Sequence, residues 1–236
     1  MELAQGNTIV FMLARMVVRS RKDLAADRIA AILAALDESY PEAVCALDHR
    51  SPWELLVATI LSAQCTDVRV NLVTPALFRR FSTPQKMAQA TLPELEALIR
   101  TTGFFRNKAK SIQGAARKIV VDFNGKIPQA LAELITIPGV ARKTASVVLG
   151  VAFNKAEGIV VDTHVFRLSR RLALARGDTP QKVEQELMQI LPKSRWINFS
   201  HQIIQHGRQV CIARKPKCDR CGLEPLCTSK DKTWQS

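Results

Sequence analysis

Apolar residues fall three and four apart along most of the chain, and that spacing predicts helices. Ile29, Ile32, Leu33 and Leu36 mark the first such face. "SPWE" at 51–54 reads as a helix start: Ser51 as N-cap, Pro52 at the first helical position, Glu54 closing a capping box. "TLPE" at 91–94 repeats the device with Thr91 and Glu94, and "TPQKVEQEL" at 179–187 opens another helix on Thr179 and Pro180. Asn124-Gly125 is read as a helix end, because no alternating strand flanks it. Gly207 in "HGRQ" is read as closing the last long helix, with loop beyond it through Pro216 and Pro225. Only "GIVV" at 158–161 reads as extended. The pattern therefore predicts an all-α fold, without repeats or low-complexity segments.

Composition narrows the class. The 236 residues, 47% of them hydrophobic, can bury one sizeable core or two modest ones. No run of about 18 apolar residues offers a membrane span. Lys and Arg total 34 against 21 Asp and Glu, a formal charge of +13, which points to a polyanionic partner. The excess is local. Arg100 to Lys118 holds six basic residues and no acid, and Thr163 to Arg176 holds four arginines and no acid. No basic helix carries an exposed aromatic face, so duplex DNA is preferred to a lipid surface. Residues 1–22 are apolar and basic with Glu2 the only acid. Residues 1–24 are read as a disordered extension, with an organelle presequence over 1–22 as the alternative.

Cysteine use splits in two. Cys45 and Cys65 are isolated, whereas Cys211, Cys218, Cys221 and Cys227 crowd into a loop-like tail as C-x6-C-x2-C-x5-C. Without a well-formed secretory signal a disulfide framework is not expected. Four thiolates so close can close around one metal centre, either zinc or an iron–sulfur cluster, and a single C-x2-C knuckle leans toward the latter. Arg214, Lys215, Lys217 and Arg220 lie between the cysteines, where they offset thiolate charge and offer a basic loop to phosphates.

"IPGVARKTASVVLG" at 137–150 runs from a tight turn straight into a helix. The turn, with a preceding helix around 128–135, makes a helix–hairpin–helix whose free N–H groups, near Gly139, Ala141 and Arg142, can hold an anion. Lys143 sits in the first helical turn beside Arg142, where the dipole disfavours an ammonium charge. A neutral lysine amine is a nucleophile that forms Schiff bases. Asp162 in "VVDTHVFRL" is placed as an N-cap, and its carboxylate can take a proton or steady a sugar cation. His164 beside it is read as a packing or hydrogen-bonding neighbour, kept among the DNA-facing candidates.

Together, "LSAQCTD" (61–67), "GFFRNKAKSI" (103–112), "IPGVARKTASVVL", "VDTHVFRL", "HGRQVCIARKPKC" (206–218) and the four-cysteine loop make the chain resemble the endonuclease III family of bifunctional DNA glycosylases over roughly residues 25–230. The resemblance implies two helical lobes: a six-helix lobe at 45–155 with the hairpin, and a second lobe from 25–44 plus 156–230 with the cluster loop. It implies that Lys143 is the nucleophile, Asp162 its partner, and the four cysteines the ligands of a [4Fe-4S] cluster. Gln64 matches the residue that fills the gap left by a flipped nucleotide, and Phe104 stands where the family has a wedge. Gly139, Ala141, Arg142, His164, Lys215 and Lys217 complete the DNA-binding set. The family hairpin ends in a second glycine where this chain has Ala141, and the expectation is that its Cβ restricts phosphate approach or a positive φ. The implied substrates are duplex DNA with oxidised or ring-saturated pyrimidines, or abasic sites. The implied enzyme is a monomer, cytoplasmic and nucleoid-associated if bacterial. Two alternatives stand beside it: a monofunctional mismatch adenine glycosylase, which would lack the lysine, and a non-catalytic iron–sulfur DNA-binding protein, which would need neither Lys143 nor Asp162.

Overall fold

The structure, a computed structural model, describes residues 21–233, with side chains from residue 25 onward. The expected disorder or presequence in residues 1–20 lies outside the described residues, while 21–24 belong to the first helix. The helices are α1 (Arg21–Ser39), α2 (Pro52–Leu61), α3 (Asp67–Arg80), α4 (Pro84–Gln89), α5 (Leu92–Ile99), α6 (Phe105–Phe123), α7 (Leu131–Leu134), α8 (Arg142–Phe153), α9 (Thr163–Arg171), α10 (Pro180–Ile190) and α11 (Trp196–Gln209). The fold is all-α. Among the described residues no helix is long and apolar enough to cross a membrane.

Most helices begin on a side-chain cap. Ser51, Thr66, Thr83, Thr91 and Thr179 each accept from a backbone N–H of the first turn, a device that contributes about 1 kcal/mol per helix. Thr91 and Glu94 form the full capping box. The 51–54 start differs from expectation: Glu54 reaches past the cap to the Arg50 N–H at 2.7 Å. Asn124, in left-handed conformation with φ 51°, ends α6 as the sequence predicts. "GIVV" is an irregular segment with no strand partner among the described residues.

Gly207 does not end α11, which continues to Gln209. A Cβ at Gly207 would sit 2.8 Å from His164 Nδ1 and 3.0 Å from His164 Cβ. The glycine is there for close approach of α9, not for a turn.

The apolar residues collect into two clusters. One draws on residues from Leu47 to Leu149, with α2 at its centre: Leu55, Leu56, Val57, Ala58 and Leu61 are all fully buried. The other joins α1, through Ile32 and Leu36, to residues from Ile159 to Leu223. Seven α-helices lie between residues 45 and 155, where six were expected, and α7 among them is a single turn. The clusters meet where Gly150 of α8 comes against Ile197 of α11. Ion pairs Arg208–Asp67 (2.5 Å) and Arg142–Glu184 (3.4 Å) also join them.

Candidate functional site: a cleft, two exposed turns and a thiol cavity

The hairpin is built from α7, a turn and α8. Ile137 and Val140 are buried and anchor the turn, and the Val140 N–H donates to the Ile137 carbonyl at 3.0 Å. Gly139 has φ +78°, and a Cβ there would lie 2.7 Å from Ser111 Cβ on α6. Ala141 is the N-cap of α8 with φ −82° and ψ 167°, extended backbone open to any residue. The expected conformational penalty at 141 is therefore absent. Ala141 has no capping side chain. The first N–H of α8 to find a helical acceptor is that of Ala145, at 3.0 Å from the Ala141 carbonyl. The N–H groups before it remain open to an anion. Lys143, in that same turn, is exposed and has no hydrogen-bond or ion-pair partner among the described residues.

Asp162 caps α9 as its sequence position predicts. Its Oδ1 accepts from the His164 and Val165 N–H groups, both at 2.8 Å. These two hydrogen bonds from the backbone fix the carboxylate and leave Oδ2 without a protein partner among the described residues. Lys143 and Asp162 line one cleft of about 410 Å³, although they come from different apolar clusters. Ser146, Phe166, Gln181 and Glu184 line it too. Sequence reasoning missed these four. The Thr179-Pro180 start predicts the helix that carries Gln181 and Glu184, but nothing local says that its first turns face Lys143.

His164 does not line this cleft. Its Nδ1 is 3.3 Å from Arg167 Nη2, and the ring packs against Gly207. Burial pushes its pKa down, with the Asp162 charge acting the other way. Arg167 also donates to the carbonyls of Gly207 and Cys211, at 3.1 and 2.8 Å, so it stitches α9 to the start of the thiol loop.

Non-glycine residues with left-handed backbone are costly, of order 1–3 kcal/mol each. Six occur among the described residues, and Asn124 and Asn154 are ordinary helix ends. Three of the remaining four are Gln64 (φ 51°), Phe104 (φ 46°) and Lys215 (φ 53°). All three are exposed, and Phe104 keeps 65% of its surface in solvent. Lys217 is half-buried. No sequence signal marks these conformations, since neither Gln, Phe nor Lys favours φ > 0.

Cys211, Cys218, Cys221 and Cys227 line one cavity with Arg171, Asp231 and Lys232. Among the described residues no three His, Cys, Asp or Glu side chains are arranged to share a single ion. Polar groups face three of the sulfurs. Arg171 Nη1 is 3.3 Å from Cys211 Sγ, the Thr233 N–H donates to Cys218 Sγ at 3.4 Å, and His206 Nε2 is 3.5 Å from Cys221 Sγ. The far side of His206 meets the Tyr40 hydroxyl at 2.9 Å. Burial pushes Cys221 up to about 11 and raises Cys211, against the pull of Arg171. The C-terminal segment closes over the loop through Arg171–Asp231 (2.5 Å) and Lys232–Glu224 (2.7 Å).

Residues 57–193 match the model of the HhH-GPD superfamily base excision DNA repair proteins. Endonuclease III of Synechocystis sp. is 56% identical over 202 residues, 86% of this chain and 92% of that protein. Endonuclease III of Escherichia coli K12 is 41% identical over 201 residues, 85% and 95% of the two chains. A solved endonuclease III, trapped as a covalent intermediate with DNA in an estranged-adenine complex, superposes with a TM-score of 0.81 at 44% identity, covering 86% of this chain and 95% of that one.

Proposed function

Since the chain belongs to the HhH-GPD superfamily of base excision DNA repair proteins, as a bifunctional DNA glycosylase and AP lyase of the endonuclease III type, we propose that Lys143 is its nucleophile and Asp162 the carboxylate that serves it. The observation that carries this reading is the cleft: an exposed, unpartnered lysine amine and a carboxylate with one free oxygen line the same walls.

The basic surface and the open N–H groups of α8 grip duplex DNA. A damaged nucleotide must leave the stack, because its sugar C1′ is unreachable inside the duplex. Asp162 takes a proton from Lys143 or steadies positive charge on the sugar. The Lys143 amine bonds to C1′, the bond from C1′ to the base breaks, and its electron pair leaves with the base, which is protonated. Opening of the sugar ring yields a protonated imine between Nζ and C1′. The imine draws electrons from C2′, a C2′ proton departs, and a C2′–C3′ double bond forms. The C3′–O bond breaks with its electron pair on the phosphate, so the strand is cut 3′ to the lesion. Water then hydrolyses the imine and frees Lys143.

The substrate class in this reading is oxidised or ring-saturated pyrimidines and abasic sites. Gln64 fills the gap behind the extruded nucleotide and Phe104 wedges beside it, as exposed left-handed turns allow. Gly139, Ala141 and Arg142 meet phosphate at the hairpin, with His164, Lys215 and Lys217 on the second lobe. The two apolar clusters support a division into a lobe at 45–155 and a lobe of 25–44 plus 156–230. One chain on one duplex is the working unit, cytoplasmic and nucleoid-associated if the chain is bacterial.

The four cysteines fit a [4Fe-4S] cluster: they line one cavity, and their spacing suits a wrap of four singly placed ligands. When bound, the cluster would cross-link four points of the loop. Arg171, His206 and the Thr233 amide would donate to its thiolates, and the loop so held would present Lys215 to phosphate.

The test is borohydride reduction of the enzyme on a duplex with one abasic site, followed by peptide mapping. DNA attached at Lys143 is expected. Attachment at another amine overturns the assignment.

A further inference from the structure

Lys108 has no task in the mechanism above. It lies in the first turn of α6 and is only 5% exposed. No carboxylate pairs with it among the described residues. Its Nζ donates to the Thr102 carbonyl at 2.7 Å. Thr102 is 1% exposed and donates its own hydroxyl to the Ile99 carbonyl at 2.8 Å. Between Thr102 and α6 run Gly103, with φ +71°, and Phe104, with φ 46°. The lysine thus spans the base of a turn whose tip is the exposed Phe104 ring.

A buried ammonium without a counter-ion is an expensive way to fill space, and a Leu or Met would pack at less cost. Burial pushes the Lys108 pKa below the ordinary lysine value, with Cys65 acting the other way.

The start of α6 explains why the expense is met. α2, α3, α4, α5, α9 and α10 begin on Ser, Thr or Asp caps, whereas α6 begins on Phe104, which makes no side-chain capping bond. A Ser or Thr at 104 would cap the helix and lose the apolar tip. Lys108 holds the entry from beneath instead.

We propose that Lys108 is a positioning residue for lesion recognition: it locks the Gly103–Phe104 turn in its left-handed form so that Phe104 enters the duplex beside the extruded nucleotide. The inference rests on the reading of Phe104 as the wedge. It does not involve Lys108 in the bond changes at the sugar.

The experiment compares Lys108→Met, Phe104→Ala, Gly103→Ala and the Lys108→Met/Phe104→Ala double variant. Gly103→Ala meets nothing within 4 Å of the new Cβ, so it perturbs only the backbone preference of the turn. Extrusion is followed by the fluorescence of 2-aminopurine beside a saturated pyrimidine, base release is measured in single turnovers, and affinity for undamaged duplex is measured separately. Each single variant is expected to slow extrusion and base release on the order of tenfold, with undamaged binding unchanged in Lys108→Met and Gly103→Ala. The double variant should be no slower than Phe104→Ala alone, because the brace acts only through the ring it holds. Equal slowing by Lys108→Met in both backgrounds overturns the inference, as does wild-type extrusion in Lys108→Met. If that variant fails to fold, Gly103→Ala decides: wild-type extrusion there overturns the claim that the left-handed turn matters. Wild-type behaviour of Phe104→Ala instead refutes the wedge reading itself, which separates the two failures.

Discussion

The start of α8 and the thiol loop carry their charges in opposite ways. At α8, Lys143 has no partner, Ala141 supplies no cap, and the first N–H groups open outward. Around the thiols, Arg171 is paired with Asp231, Lys232 with Glu224, and three sulfurs face a polar group. Exposed N–H groups and a solvated amine keep water as their partner until a substrate replaces it. A satisfied network is rigid, which suits a staple and would hinder a nucleophile that must bond to a sugar. The contrast separates a region built to react from one built to hold.

The sharpest break comes from Lys143→Gln. Borohydride-trapped adduct and base release should fall by at least about a thousandfold, as when a covalent nucleophile is lost. Affinity for abasic duplex should persist, because one charge among many is removed. Trapping at the wild-type rate would make the open start of α8 a phosphate site alone.

Asp162→Asn should cost roughly a hundredfold in turnover, the scale of a lost general base. Thermal stability should hardly change, since Asn caps as well as Asp and can still accept from the His164 and Val165 N–H groups. Loss of folding with Asn would show that the carboxylate belongs to the structural side of the comparison.

The loop should behave in reverse. The purified protein should carry about four irons per chain. Cys218→Ser should lower Tm by on the order of 10 °C, while the stable fraction still forms the Lys143 adduct. An active, colourless protein with one zinc would refute the cluster.

Replacing Lys215 and Lys217 together by Ala should reduce the slope of log affinity against log salt by about two. Exposed Lys215 should account for more of it than half-buried Lys217. An unchanged slope would remove the loop from the DNA surface.

Asp37, on α1, supplies the smallest effect and a control. Hydrogen bonds from Arg195, at 2.6 and 2.7 Å, hold its carboxyl below the ordinary carboxylate value. A depressed carboxylate adds stability above its unfolded pKa and loses it as pH falls through the folded value. Asp37→Asn should therefore flatten the stability curve only below about pH 4, by under about 1 kcal/mol for so exposed a pair. Activity and iron content should not move.

Short-range chemistry was legible in the chain itself. The caps at Thr91, Thr179 and Asp162, the helix end at Asn124 and the turn before α8 each depend on a few neighbouring residues, whose hydrogen bonds close within one helical turn. The spacing of the four cysteines was legible for the same reason. Where a partner lies far along the chain, local reading failed. Gly207 serves the approach of α9, some forty residues earlier. Tertiary packing alone decided that Gln181 and Glu184 face Lys143, that Tyr40 stands behind His206, and that Phe104 is held in a left-handed turn. Such placements follow from the burial of two apolar clusters against each other, and that burial is set by residues scattered over the whole sequence.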